Sequence, residues 1–160
     1  MRFILGAAFA ALLLVPVASQ AQSWQEYRPK GAGFRIEMPG DLKLEDKGGK
    51  PATYSAVSVV GKDKVFLVNY RDQDDLKLGL DTMLDAVVEG QSDGKKVVSI
   101  KKEKLGAYPA RRVRLKDSDN DEYEIRVVIA DRRLIQAIFV GTDGDPLGRR
   151  FLDSFVILEP

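Results

Sequence analysis

The chain has 160 residues with 25 Lys or Arg against 24 Asp or Glu, and it contains neither His nor Cys. This near-neutral balance disfavours a nucleic-acid partner, which usually requires a basic excess. The missing residue types exclude Ser-His-Asp and Cys-His catalytic centres, disulfides, and zinc or copper sites built from these ligands. We therefore expect a protein that is not an enzyme and has no metal and no cofactor. Carboxylate chemistry, a Ser-Lys pair and oxygen-liganded calcium remain open.

Residues 1–21 have the pattern of a secretory signal peptide. Arg2 precedes an apolar run over 3–17, and small residues precede the expected cleavage site after Ala21. The run contains Pro16 and is shorter than the roughly twenty residues that span a bilayer as a helix. We expect cleavage after Ala21, with a cut after Ser19 or an uncleaved anchor as alternatives. The product is then periplasmic or secreted, without a stable membrane anchor.

Residues 22–160 are expected to form a single domain, which opens with a short aromatic segment. Trp24 and Tyr27 in this segment are expected to fold back over the sheet edge, the alternative being an exposed binding patch. Alternation of apolar and polar residues predicts a strand over 34–38. The glycine- and proline-containing stretch 41–52 is predicted to be a mobile surface loop. Two further strands are predicted over 53–60 and 64–70.

A helix is predicted over 76–89, where apolar residues recur at the helical period. Asp74 or Asp75 is expected to cap its beginning, and Gly90 is expected to lie just past its end. A core-facing helix is favoured over a membrane-surface helix, because the polar face is acidic rather than basic.

The stretch 95–141 is predicted to form four antiparallel strands with turns at 105–107, 118–120 and 131–132. Opposite charges and apolar residues near the second turn predict a cross-strand register. The predicted pairs are Lys116 with Glu122, Leu115 with Tyr123, Arg114 with Glu124, and Val113 with Ile125.

The strands over 122–130 and 134–141 are apolar on both faces, so each requires cover from two sides. A second helix is predicted to begin at Asp145 and Pro146, which suit an N-cap and a first helical position. A short final strand completes the predicted elements. The fold class is therefore α+β, in detail an α/β/α sandwich whose central, mainly antiparallel sheet has helices on both faces.

The clearest candidate for a functional surface is a basic segment over 95–116, which holds nine Lys or Arg against the single Glu103. It predicts a contact with an acidic protein partner or an anionic envelope component. The alternative is a solvated face that acidic neighbours neutralise. The predicted partner-binding residues are Arg111, Arg112, Arg114, Lys102 and Lys104.

The acidic turn at Asp117, Asp119 and Asp121 imitates the opening of a calcium loop. The later positions of such a loop do not match, since Glu122 replaces its glycine and Val128 its terminal glutamate. Side-chain-to-backbone bonding within a tight turn explains the segment without a metal.

Several short stretches resemble the PsbP-like superfamily, and they span nearly the whole expected domain. They are GFRIEMP from Gly33, GAYPAR from Gly106, RRLI from Arg132 and RFLDSF from Arg150. The resemblance implies the α/β/α sandwich of that superfamily and an accessory or binding role rather than catalysis. We therefore predict an exported, non-catalytic accessory or binding protein of the cell envelope. The alternative is a carboxylate-based hydrolase or small-ligand-binding enzyme with a site between sheet and helix.

Overall fold

The structure, a computed structural model, describes residues 22–74 and 77–159. Its elements are β1 (Trp24–Tyr27), β2 (Phe34–Pro39), β3 (Lys43–Gly49), β4 (Ala52–Val60), β5 (Lys64–Asp72), α1 (Leu80–Ser92), β6 (Lys96–Leu105), β7 (Tyr108–Lys116), β8 (Glu122–Ala130), β9 (Arg133–Gly141), α2 (Pro146–Asp153) and β10 (Val156–Ile157). The predicted signal peptide lies outside the described residues.

Seven strands form one sheet in the order β3-β4-β5-β9-β8-β7-β6, and β1, β2 and β10 form a three-stranded sheet in the order β1-β2-β10. Every paired strand in both sheets runs antiparallel to its neighbour. The predicted α+β class with a mainly antiparallel sheet is confirmed.

The register predicted at the second hairpin is also confirmed. In the β7–β8 ladder all four predicted pairs lie opposite each other: Lys116 and Glu122, Leu115 and Tyr123, Arg114 and Glu124, Val113 and Ile125. Gly106 and Asn120 have positive φ of 59° and 68°, as the two hairpin turns require.

Two apolar clusters form the core, and each helix belongs to a different one. Leu84 and Val88 of α1 pack with apolar residues of β7, β8 and β9. Phe151 and Leu152 of α2 pack in the other cluster with residues of β2, β5, β8 and β9. Adjacent residues of β8 alternate between the clusters because successive side chains of a strand point to opposite faces.

The prediction of a loop over 41–52 was wrong, because most of it is the strand β3. Lys43 lies opposite Val57 of β4, and the ladder is irregular between Asp46 and Gly49. This edge strand buries little, and Leu44 is 63% exposed, so no alternating apolar pattern marks it in the sequence.

The first helix begins later than predicted, at Leu80, with Gly79 at the N-cap and no side-chain capping bond. The expected cap at Asp74 is therefore wrong, and Asp75 lies outside the described residues. Gly90 falls inside the helix, which continues to Ser92. Its φ is not positive, and a Cβ there would meet open space, so the helix accommodates this glycine without a break.

The second helix begins as predicted, with the Asp145 side chain accepting a bond from the backbone N–H of Leu147 and Pro146 in the first turn. Near the beginning of the chain, β1 pairs with β2. Its Trp24 contacts Phe66 edge-on at 6.2 Å between ring centroids, so this aromatic is tied down by packing. Neither described helix has the length and apolarity needed to cross a membrane.

Candidate functional site

Arg111, predicted to contact a partner, is instead buried under α1. Its side chain is 1% exposed, with Nε donating to Asp85 Oδ1 at 2.8 Å and Nη2 to Asp81 Oδ1 at 2.6 Å. Nη1 also donates to the backbone oxygen of Ala110. Arg111 therefore joins β7 to α1 and presents no free charge for a partner.

The two carboxylates that hold Arg111 remain largely in water, with side chains 66% exposed at Asp81 and 56% at Asp85. The hydrogen bond from Arg111 lowers the pKa of Asp81, and the nearby charge of Lys102 lowers it further. Burial alone would lower the pKa of Arg111, but its bonds to the two carboxylates outweigh this and raise it.

Arg112 and Arg114 lie on the other side of the sheet, near α2. Arg112 forms ion pairs with Glu124 at 2.7 Å and with Asp153 at 3.2 Å. Arg114 pairs with Asp143 in the loop before α2. Both arginines are therefore neutralised within the chain, and the structure does not bring them to one surface with Arg111.

The lysines of β6 differ from these arginines, because no ion pair holds them. We call Lys96, Lys101, Lys102 and Lys104 the β6 lysines. All four are exposed, and within the described part of the chain they make no ion pair. Two of the predicted contact residues, Lys102 and Lys104, are thus available, whereas the predicted arginines are engaged.

Strand β6 is the outer strand at one end of the seven-stranded sheet, so only β7 pairs with it among the described residues. Three apolar side chains of β6 are also unusually exposed: Val97 at 43%, Val98 at 47% and Ile100 at 49%. The ladder to β7 shifts register between Val97 and Ser99. From Ser99 onward, the outer edge combines regular strand geometry, positive charge and apolar contact area.

A charged groove of about 410 Å³ separates β6–β8 from the loop that precedes α2. Its acidic lining is Glu103, Glu124, Asp143 and Asp145. Each of these carboxylates pairs with a basic side chain, which is Arg126, Arg112, Arg114 and Lys64, respectively.

The groove is the place where the alternative enzyme would have its site. Burial alone would raise the pKa of Asp145, but bonds from Lys64 and from the backbone N–H groups of Leu147 and Gly148 lower it below its usual range. A general acid at neutral pH requires the opposite shift. Asp145 is thus held ionised by the contacts that cap α2, and it is not suited to act as a general acid at neutral pH.

The acidic turn has the bonding of a tight turn. Asp117 Oδ1 accepts bonds from the backbone N–H groups of Asp119 and Asp121 at 2.9 and 3.0 Å. Asp117 Oδ2 accepts a bond from the Tyr123 hydroxyl at 3.0 Å. These bonds engage both carboxylate oxygens of Asp117 within the turn. Among the described residues, no group of three or more acidic side chains is arranged to hold a metal ion.

The role of Arg111 was missed at the sequence level, although two patterns contain the signal. Arg111 alternates with Val113 and Leu115, which are both buried, so it belongs to the inward face of β7. Asp81 and Asp85 are four residues apart and therefore lie on the same face of α1. Together these spacings are typical of a cation on a strand held by two carboxylates of a covering helix.

No known protein-family profile matches the chain, and no curated protein matches its sequence. Among solved structures, the fold is similar to the solution structure of cyanobacterial PsbP (CyanoP) from Synechocystis sp. PCC 6803. That match has a TM-score of 0.59 and 14% identity, and covers 91% of this chain and 98% of that chain. A protein of unknown function from Pseudomonas aeruginosa, described as a putative regulator, matches with a TM-score of 0.41 and 11% identity, over 76% of this chain and 85% of that chain.

Proposed function

We propose that this chain, which has the PsbP-like fold, is an exported, non-catalytic accessory or binding protein of the cell envelope that contacts an acidic polypeptide through the outer edge of β6. The observation that carries the proposal is the contrast within the basic segment. Its arginines are bonded inside the domain, whereas the β6 lysines are exposed and make no ion pair in the described part of the chain.

A polypeptide partner is favoured over a lipid surface by the backbone of β6. An outer strand offers N–H and C=O groups that an added strand bonds, and lipid headgroups do not reproduce that pattern. Exposed lysines on such an edge repel a second copy of the same edge. An acidic segment is attracted to them, and Ile100 adds apolar contact area.

The domain in this proposal is an α/β/α sandwich. The two core clusters support this arrangement, because each contains a different helix. Val127 of β8 packs in the cluster of α1, and Val128 packs in the cluster of α2. A non-catalytic role is supported by the paired carboxylates of the charged groove and by the lowered pKa of Asp145. Export is supported by the signal pattern over 1–21.

Isothermal titration of the protein, expressed from its full sequence, against a ten-residue polyglutamate peptide tests the binding surface. We expect binding that weakens about tenfold in Lys102→Glu/Lys104→Glu and weakens as salt is raised. Lys47→Glu/Lys50→Glu makes the same charge change near the opposite edge of the sheet, at two exposed lysines. Equal affinities for the two variants, or no measurable binding by the unsubstituted protein, would refute the proposed surface.

A further inference from the structure

A row of polar side chains interrupts the face of the sheet that α1 partly covers. Ser55, Asn69 and Gln136 lie directly opposite one another across β4, β5 and β9. The next row on the same face is apolar and consists of Val57, Leu67 and Ile138. A sheet face beside a helix normally continues apolar, so this polar row calls for a separate explanation.

Asn69 and Gln136 of this row line an open pocket beside the last turn of α1. Gln91 of α1 extends over the sheet, and its Nε2 donates to Gln136 Oε1 at 2.8 Å. The cavity has a volume of about 270 Å³. We call its polar lining the amide pocket, which consists of Thr53, Asn69, Arg71, Gln91 and Gln136.

Two buried polar atoms at this row have no hydrogen-bond partner. Within residues 22–74 and 77–159, Ser55 Oγ and Asn69 Oδ1 are the buried side-chain atoms left unbonded, and their residues are cross-strand neighbours. Unbonded buried polar groups cost stability and in native proteins call for an explanation. Because Asn69 Oδ1 is itself buried, a ligand in the pocket meets the remaining lining atoms of Asn69 rather than this oxygen.

The pocket carries one sign of charge. Arg71 is the charged residue of its lining, it is exposed, and within the described part of the chain its side chain makes no hydrogen bond or ion pair. Its guanidinium is thus free to bind a carboxylate through two parallel hydrogen bonds. The amide of Gln91 offers a donor and an acceptor, and the Asn69 amide offers its N–H donors, which match hydroxyl or amino groups.

We propose that the amide pocket is a binding site for a small polar carboxylate, such as a sugar acid, hydroxy acid or amino acid. Its carboxylate bonds to Arg71, and its hydroxyl or amino groups bond to Asn69 and the two glutamines. The volume lies just below the roughly 300 Å³ at which pockets for larger organic ligands begin, so the ligand is small. This site lies away from the β6 edge and does not depend on the proposed function.

Side-chain amide signals in ¹⁵N–¹H spectra of the full-sequence protein test the site directly. The probes are D-galacturonate, L-tartrate and L-glutamate at up to 50 mM, with D-galactose as the uncharged counterpart of the first. We expect at least one acid to shift the signals of Asn69, Gln91 and Gln136 saturably, with galactose producing at least fivefold smaller shifts.

Arg71→Gln removes the cation and is expected to weaken that binding at least tenfold, while Arg71→Lys retains part of it. Arg149→Gln, at an exposed arginine outside the pocket, serves as the matched control and is expected to bind as the unsubstituted protein does. Unchanged backbone signals show that each variant is folded. No shift with any acid, shifts confined to other residues, or equal binding by Arg71→Gln would overturn the proposal.

Discussion

The guanidinium of Arg111 donates to the Asp81 carboxylate across the interface between β7 and α1, with 2.6 Å between Nη2 and Oδ1. The two partners differ sharply in their surroundings, since the arginine side chain is 1% exposed and the aspartate side chain is 66% exposed. The carboxylate keeps most of its water, whereas the buried cation depends on the bond. Removing the carboxylates is therefore expected to lower the stability of the fold more than removing the arginine.

The first prediction concerns this asymmetry. Arg111→Met keeps the buried hydrocarbon and leaves two carboxylates that water solvates, so we expect a loss of about 1 kcal/mol in the free energy of unfolding. Asp81→Ala/Asp85→Ala leaves a buried cation without its carboxylates, so we expect a lower urea midpoint than that of Arg111→Met. Urea unfolding followed by circular dichroism measures both. A double variant as stable as the arginine variant would contradict this account.

The second prediction is a pH dependence of stability. The pKa of Asp81 is lowered from its usual 3.8 in the folded protein, so below about pH 4 the unfolded chain binds the proton more readily. Stability from this group is therefore present at neutral pH and is lost as the pH falls through the folded pKa.

Urea midpoints measured from pH 5 to pH 2.5 test this dependence. They should fall less steeply in Asp81→Asn than in the unsubstituted protein. Arg111→Met should show the same reduced slope, because it removes the cause of the shift. Parallel slopes in all three proteins would show that the ion pair does not lower the pKa of Asp81.

The third prediction concerns the beginning of α2. Asp145 caps the helix through the Leu147 N–H at 2.8 Å and forms an ion pair with Lys64 at 2.7 Å, with its own side chain 7% exposed. We expect Asp145→Ala to lose about 1–2 kcal/mol in the free energy of unfolding, because the capping acceptor disappears. Asp143→Ala, two residues earlier and more exposed, is expected to lose less than about 0.5 kcal/mol. Equal losses in the two variants would show that the capping bond of Asp145 adds no stability of its own.

The fourth prediction uses the single tryptophan of the chain as a probe of β1. Arg150 of α2 stacks on the ring of Trp24, with 4.2 Å between Cζ and the ring centroid. We expect Arg150→Met to lose about 1 kcal/mol in the free energy of unfolding and to change the native emission of Trp24. Arg149→Met, at the preceding exposed position, should leave both unchanged. Unaltered emission in Arg150→Met would show that the stacked contact is absent in solution.

The β7–β8 register was predictable because several independent patterns agree there. The charges at Lys116 and Glu122 are opposite, the apolar residues Val113 and Ile125 face each other, and Asn120 suits the turn. Strand β3 lacked such agreement, since an exposed outer strand needs no apolar alternation. Leu44 is its one large apolar residue, and it is exposed.

The candidate site was only partly predictable for a related reason. Alternation along one strand shows which side chains share a face, but it does not show whether a helix covers that face. Arg111 and Lys102 lie opposite each other in the β6–β7 ladder, yet one is buried and the other exposed. The difference arises from α1, whose Asp81 and Asp85 cover the arginine. Local sequence therefore identified the charges but not their partners.

Photo-crosslinking in cells of the native host tests the central claim most directly. A photoreactive amino acid replaces Lys102 at the β6 edge in one variant and Lys47 near the opposite edge in the other, both in the chain with its own N-terminal segment. We predict a crosslink from position 102 to an acidic envelope protein, recovered from the envelope fraction and absent at position 47. Equal crosslinking at both positions, or a protein retained in the cytoplasm, would contradict the account.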